Sequence, residues 1–109
     1  MPLKTGDDEI LTPGTSTAIP LTAAKLRVTG TNGLVKKCER VELTVEGYPI
    51  RVRKTGGAPT SSLGRLLAVG GTIPVGGPYT FRGNADLTNL QMIGIGGQAS
   101  VYVEYLYPE

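Results

Sequence analysis

The carboxylates, a single thiol and one glycine-rich run are the groups with which this chain could do chemistry. Glu39, Glu42, Glu46, Asp86 and Glu104 supply carboxyl groups, and two carboxyls flanking a sugar bond are the machinery of glycoside hydrolysis. Most of them fall on solvent faces of predicted strands, where a carboxylate is an ordinary surface group. Asp7, Asp8 and Glu9 are consecutive, without the spaced loop that wraps a calcium ion. Ser61 and Ser62 have no base to activate them, because the chain contains no His. Cys38 follows Lys37 and lies two residues before Arg40; neighbouring cations lower a thiol pKa, but without a His partner we read Cys38 as structural. Its being the single Cys excludes an intrachain disulfide and every Cys-paired zinc site. Gly94-Ile95-Gly96-Gly97-Gln98-Ala99 matches the dinucleotide fingerprint in form, yet that fingerprint needs a helix to follow, and a strand is predicted there. These readings predict no enzyme, no cofactor and no metal.

Binding chemistry is left. Lys36, Lys37, Arg40, Arg51, Arg53 and Lys54 form a basic cluster, but acidic residues are interleaved and the net charge is only +2. A phosphate-tracking protein carries a one-signed stripe, and aromatic stacking platforms are not near these bases, so no nucleic-acid partner is expected. Residues 1–9 lack the apolar stretch of a secretion signal, and no run of 18 apolar residues predicts a membrane span, so no membrane partner is expected. Tyr102, Tyr105 and Tyr107 gather near Leu106 instead. Tyr102 and Leu106 alternate onto one face and Tyr105 and Tyr107 onto the other, so the strand reads as buried in the sandwich on both faces or, more sharply, as presenting Tyr102 and Leu106 to a subunit contact, since interfaces favour Tyr.

The elements that must position these groups are strands. Gly and Pro together make up 24 of 109 residues, which disfavours long helices. Residues 38–46 alternate, with Val41, Leu43 and Val45 inward, and residues 50–53 alternate again after Gly47-Tyr48-Pro49. The two runs predict an antiparallel hairpin, with Glu42 and Glu46 facing Arg51 and Arg53 as cross-strand ion pairs. Residues 21–29 read as strand or helical turn, followed by a turn at Gly30-Thr31-Asn32-Gly33. Residues 54–63 read as loop, Leu66 to Val69 and residues 72–75 as brief strands, with Gly76-Gly77-Pro78 ending the latter. Tyr79-Thr80-Phe81 reads as a strand and Asn84-Ala85-Asp86 as a turn. Leu90 to Ile95 and residues 99–107 read as strands, the last with Val101, Val103, Tyr105 and Tyr107 on one face. Seven or eight short strands with turns between them predict one all-β domain, a β-sandwich or barrel. Residues 1–17 read as an extended N-terminal arm and residues 18–109 as the sandwich domain. The acidic stretch of the arm reads as a solvated tail or as a segment ordered against a neighbouring subunit.

The run Val45-Glu46-Gly47-Tyr48-Pro49-Ile50-Arg51-Val52-Arg53, followed by Gly57-Ala58-Pro59-Thr60-Ser61-Ser62-Leu63-Gly64-Arg65-Leu66-Leu67, resembles small virion proteins of tailed bacteriophages. Leu90 to Ile95 and Ala99 to Tyr107 continue the resemblance in the same order. It implies a compact jelly-roll-like β-sandwich serving as a capsid cement or decoration protein, made in the host bacterial cytoplasm and resident on the capsid surface of the virion. The implied partner is the major capsid protein, with homo-oligomers, dimers or trimers, at local symmetry axes. The expected contact residues are Leu3, Ile10 and Leu11 in the arm, Pro59 and Thr60 in the central loop, Tyr79, and Tyr102 with Leu106. Removing residues 2–12 is then expected to weaken attachment and leave the domain folded. A second expectation is a tail, baseplate or receptor-binding module that grips a host glycan or protein, with Tyr48 and Tyr79 as its loop aromatics.

Overall fold

The computed structural model describes residues 3–29 and 33–108, and of residues 3–5 the backbone. Its strands are β1 (Leu3–Leu11), β2 (Ile19–Pro20), β3 (Arg27–Thr29), β4 (Val35–Lys37), β5 (Arg40–Glu46), β6 (Ile50–Arg53), β7 (Arg65–Leu67), β8 (Val75–Arg82), β9 (Gln91–Gly94) and β10 (Ser100–Pro108). Two short helices, α1 (Ala23–Leu26) and α2 (Asn84–Asn89), complete it. One sheet has the order β1-β10-β5-β8, a second β2-β9-β6-β7, and β3 pairs with β4 as a two-stranded ribbon. Every pairing is antiparallel.

The alternation in β5 and β10 dictates where the core sits. Val41, Leu43, Val45, Val101, Val103, Tyr105 and Phe81 of the first sheet share one apolar cluster with Ile50, Val52, Leu67 and Met92 of the second. Their intervening neighbours Glu42, Thr44, Tyr102 and Glu104 are half-buried on the opposite face. Tyr105 is fully buried and Tyr107 nearly so, as the period of two requires.

Several local expectations need correction. Strands β5 and β6 do not form a hairpin: β5 pairs with β10 and β8, while β6 pairs with β9 and β7. The Gly47-Tyr48-Pro49 turn carries the chain from one sheet to the other, so that both apolar faces enter the common core rather than lying side by side. The expected ion pairs across that hairpin do not form. Arg51 donates to the carbonyls of Ser61 (3.1 Å) and Gly64 (2.8 Å), Arg53 to that of Ala58 (3.5 Å), and Glu42 pairs with Arg40 at 3.6 Å.

Gly76-Gly77-Pro78 does not end a strand but lies inside β8, with a cis bond before Pro78. Bare backbone is needed here, because a Cβ on Gly76 would stand 1.9 Å from the Ala68 carbonyl oxygen and one on Gly77 2.6 Å from that of Leu43. Strand β8 is an edge, where a residue without an N–H is tolerated. Asn84-Ala85-Asp86 opens α2 rather than a simple turn. Asn84 donates from Nδ2 to the carbonyls of Leu26 and Cys38, both at 2.9 Å, fastening the base of the ribbon. Residues 21–29 resolve into α1 followed by β3. Of the expected turn at residues 30–33, only Gly33 lies within the described residues.

Residues 3–11 are folded against their own chain. Strand β1 pairs with β10 from Leu3 opposite Pro108 to Leu11 opposite Val101, with one irregularity between Thr5 and Asp7. The solvated-tail reading overlooked that each acidic side chain has a partner. Asp7 meets Lys25 Nζ at 2.8 Å, Asp8 accepts from Tyr102 at 2.7 Å, and Glu9 accepts from Thr22 Oγ1 at 2.8 Å and from the Tyr105 hydroxyl.

Candidate partner-binding site

Three turns meet at one end of the molecule: Gly47-Tyr48-Pro49, the β7–β8 connection and the β9–β10 connection. They enclose an open groove of about 400 Å³ lined by Tyr48, Ile73, Pro74, Val75, Gln98 and Ala99, among others. Gly70 and Val75 exchange two backbone hydrogen bonds of 3.2 Å, closing a tight turn with Ile73 near its tip. The Gly47 N–H donates to the Pro74 carbonyl at 3.0 Å, locking that turn to its neighbour. Ile73 is 81% exposed, and Tyr48 and Val75 are also exposed.

Glycine gives the Tyr48 ring its seat. A Cβ on Gly97 would stand 2.5 Å from Tyr48 Cζ, so the ring lies directly against bare backbone. The Ile95 N–H, donating to the Pro49 carbonyl at 2.9 Å, holds the same two turns together. The groove is thus lined by an exposed aromatic ring and an exposed aliphatic side chain on a braced turn. The sequence carried a faint signal of it. Residues 72–74 are turn rather than the brief strand expected over 72–75, and the flanking Gly70-Gly71 and Pro74 are the residues that signal it.

The contact residues expected from the sequence are scattered. Leu3 begins β1; its side chain lies outside the described residues. Ile10 is 65% exposed on the outer face, whereas Leu11 packs against the core. Pro59 is buried. The exposed Thr60 organises its own loop, its Oγ1 accepting from the N–H groups of Ser62 (3.3 Å) and Leu63 (3.0 Å). The Tyr79 hydroxyl donates to the Ala68 carbonyl at 2.6 Å, a bond that ties β8 to the segment after β7. Tyr102 and Leu106 share the outer face of β10, but Leu106 is buried and the Tyr102 hydroxyl is held by Asp8. Among the described side chains, Ile10 and Tyr102 are brought together from different strands, directly opposite in the β1–β10 register.

Of the candidate reactive groups, Glu46, Ser61, Ser62 and Asp86 are exposed, whereas the thiol is embedded in the fold. Cys38 is buried and donates from Sγ to the Arg40 carbonyl at 3.2 Å; burial pushes its thiol pKa up. Gly96-Gly97 turns β9 into β10 with no helix between them, so no helix N-terminus meets the glycine-rich run. Among the described residues, no group of three or more His, Cys, Asp or Glu is placed to hold a metal ion. No helix of the described residues is long and apolar enough to cross a membrane. No protein-family model, curated protein or solved structure matches the chain.

Proposed function

We propose that this protein is a structural component of a tailed-bacteriophage particle, a capsid cement protein that seats its Tyr48–Ile73 end on the shell of the major capsid protein. In this reading the two four-stranded sheets form a jelly-roll-like β-sandwich whose braced turns act as the docking end. The observation that carries it is Ile73, 81% exposed on a turn fixed by three backbone hydrogen bonds. A rigid apolar anchor loses little conformational freedom on docking, so its burial is translated into affinity. The resemblance of residues 45–67, 90–95 and 99–107 to small virion proteins supplies the class of partner. Many copies on a symmetric shell raise the effective concentration of every contact, so a modest single-site affinity suffices.

Co-sedimentation tests the proposal. The protein is mixed with empty shells assembled from a major capsid protein encoded in the same genome. The unaltered chain should pellet with the shells, and Ile73→Asp should stay in the supernatant while keeping its melting temperature. Shells that capture Ile73→Asp as well as the parent would remove the docking end from the reading. Failure of the parent to pellet would remove the capsid.

A further inference from the structure

The outer face of the first sheet and the outward face of the β3–β4 ribbon carry matching patterns of opposite charge. On the sheet, Asp8 is directly opposite Glu104, and Glu104 is directly opposite Glu42. Three carboxylates therefore stand in one row at the interstrand spacing of about 4.8 Å. The next row of the same face, two residues along, holds Ile10, Tyr102 and Thr44. On the ribbon, Arg27, exposed although it also borders a hollow with Leu26, Asn84 and Thr88, is directly opposite Lys37, and the next row of that face is Thr29 opposite Val35. The other ribbon face, Val28 and Lys36, turns towards the body, where it lines a hollow with Gly6, Asp7 and Tyr107.

Like charges directly opposite one another destabilise a sheet, and this chain has placed two such rows. The acidic row is relieved internally only in part, by Arg40 at 3.6 Å from Glu42 and by the Tyr102 hydroxyl on Asp8. Neither Arg27 nor Lys37 has an ion-pair partner among the described residues.

We propose that the β3–β4 ribbon docks on the outer β1–β10–β5 face of a second copy of this chain. Arg27 and Lys37 then meet the row Asp8, Glu104 and Glu42. Val35, 44% exposed, meets Ile10, 65% exposed, beside Tyr102. Row spacing along a strand is the same in both partners, about 6.7 Å, so the charged and apolar rows fall into register together. The two patches lie on different elements, so the contact is head-to-tail and builds a ring if the rotation closes or a filament if it does not. It uses neither Tyr48 nor Ile73, so its success or failure is read separately from shell binding.

Sedimentation velocity on the purified full chain, across a concentration series, tests it. At low salt the sedimentation coefficient should rise with concentration, and about 1 M salt, where the Debye length is ~3 Å, should return it to that of the monomer. Arg27→Glu/Lys37→Glu and Glu42→Lys/Glu104→Lys should each abolish the rise. Mixed one to one, the two variants should associate again, because the reversed ribbon now fits the reversed face. Circular dichroism on each variant confirms that it is folded. A parent that stays monomeric at low salt overturns the proposal, as does association untouched by either reversal or a failure of the mixed variants to associate. A ribbon that captures a nucleic acid or an unrelated acidic protein, while the chain remains monomeric, also overturns it.

Discussion

Glu9 on the first strand and Tyr105 on the last are joined by a hydrogen bond, the buried phenol donating to the Glu9 carboxylate. The same carboxylate accepts from Thr22 Oγ1, and the Thr22 N–H reaches the Tyr105 oxygen at 3.3 Å. The three residues close a small polar ring beside the core. With Asp7 on Lys25 and Asp8 on Tyr102, it clamps β1 from both faces. The acidic run thus positions an edge strand instead of solvating a tail.

Tyr105→Phe should release that clamp without emptying the core. The ring still fills its site, while Glu9 loses one of its two donors, at a cost of about 1.5–3 kcal/mol for a hydrogen bond to a charged group. Hydrogen exchange should show the β1 amides of residues 7–10 losing protection before those of β5. The full truncation goes further than the sequence led one to expect. Removing residues 2–12 strips β10 of its partner from Leu3 to Leu11 and takes the clamp with it, so a large fall in melting temperature is the expected outcome. A truncated chain that melts with the parent would show β1 to be dispensable.

The clamp should also fail in alkali. Tyr102 is pushed up to about 12, first by its hydrogen bond to Asp8 and then by desolvation. Burial, reinforced by the bond to Glu9, raises Tyr105 further, and the bond to Asp7 raises Lys25. Each group holds its proton more tightly folded than unfolded. Their contribution is therefore complete below the ordinary phenol value of 10.0 and is lost as pH climbs through the raised values. Denaturation midpoints should fall steeply above about pH 10, with the Tyr102 and Tyr105 phenolates appearing in step with unfolding. Asp7 acts at the opposite end: Lys25 holds its pKa below 3.8, so its contribution is lost only as pH falls through that lower value. A Tyr102 or Tyr105 phenol that titrates at its ordinary value of 10.0 in the folded chain would contradict the clamp.

What was legible in the sequence follows from period-two burial. The inward sets Val41-Leu43-Val45 and Val101-Val103-Tyr105-Tyr107 could be read directly, because one buried face forces alternation. Which strand lies beside which could not be read. The Gly47-Tyr48-Pro49 turn is compatible with a hairpin or with a crossing between sheets, and only the need of both apolar faces for a common core decides. The role of Asp7, Asp8 and Glu9 was hidden for a related reason. Their partners Lys25, Tyr102, Tyr105 and Thr22 are up to 96 residues away in the chain, so local composition reported only charge. The candidate docking end was hidden likewise, since Tyr48 and Ile73 meet through three separate turns.

Arg51 shows the same point in a testable form. Its sequence context promised an exposed ion pair, worth at most about 1 kcal/mol. The guanidinium instead donates to the carbonyls of Ser61 and Gly64, pinning the second half of the loop that contains Thr60. Arg51→Ala should accelerate hydrogen exchange across residues 58–64 and make that loop the first site of proteolytic nicking. Glu42→Gln should leave the loop unchanged. A loop indifferent to Arg51→Ala would remove the pinning role, and one responding alike to Arg51→Ala and Glu42→Gln would restore the ion-pair reading.

A final pair of substitutions asks whether the segment joining β1 to β2 is packed or merely draped. The Gly94 N–H donates to the Gly14 carbonyl at 2.8 Å, and the Ala99 N–H to the Pro13 carbonyl at 3.1 Å. Pro13 is fully buried. A Cβ on Gly94 would stand 2.5 Å from the Gly97 carbonyl oxygen and 2.7 Å from that of Pro13. Both obstacles are backbone, which cannot swing aside as a side chain can, so overpacking of about 1–3 kcal/mol or more is expected for Gly94→Ala. Gly14, in the same contact, has nothing within 4 Å of the added methyl, and Gly14→Ala should leave the urea midpoint unchanged or slightly raised, because Ala restricts the unfolded chain. Equal midpoints for the two variants would mean that the segment lifts away from β9 at little cost, and that the groove beside it opens with it.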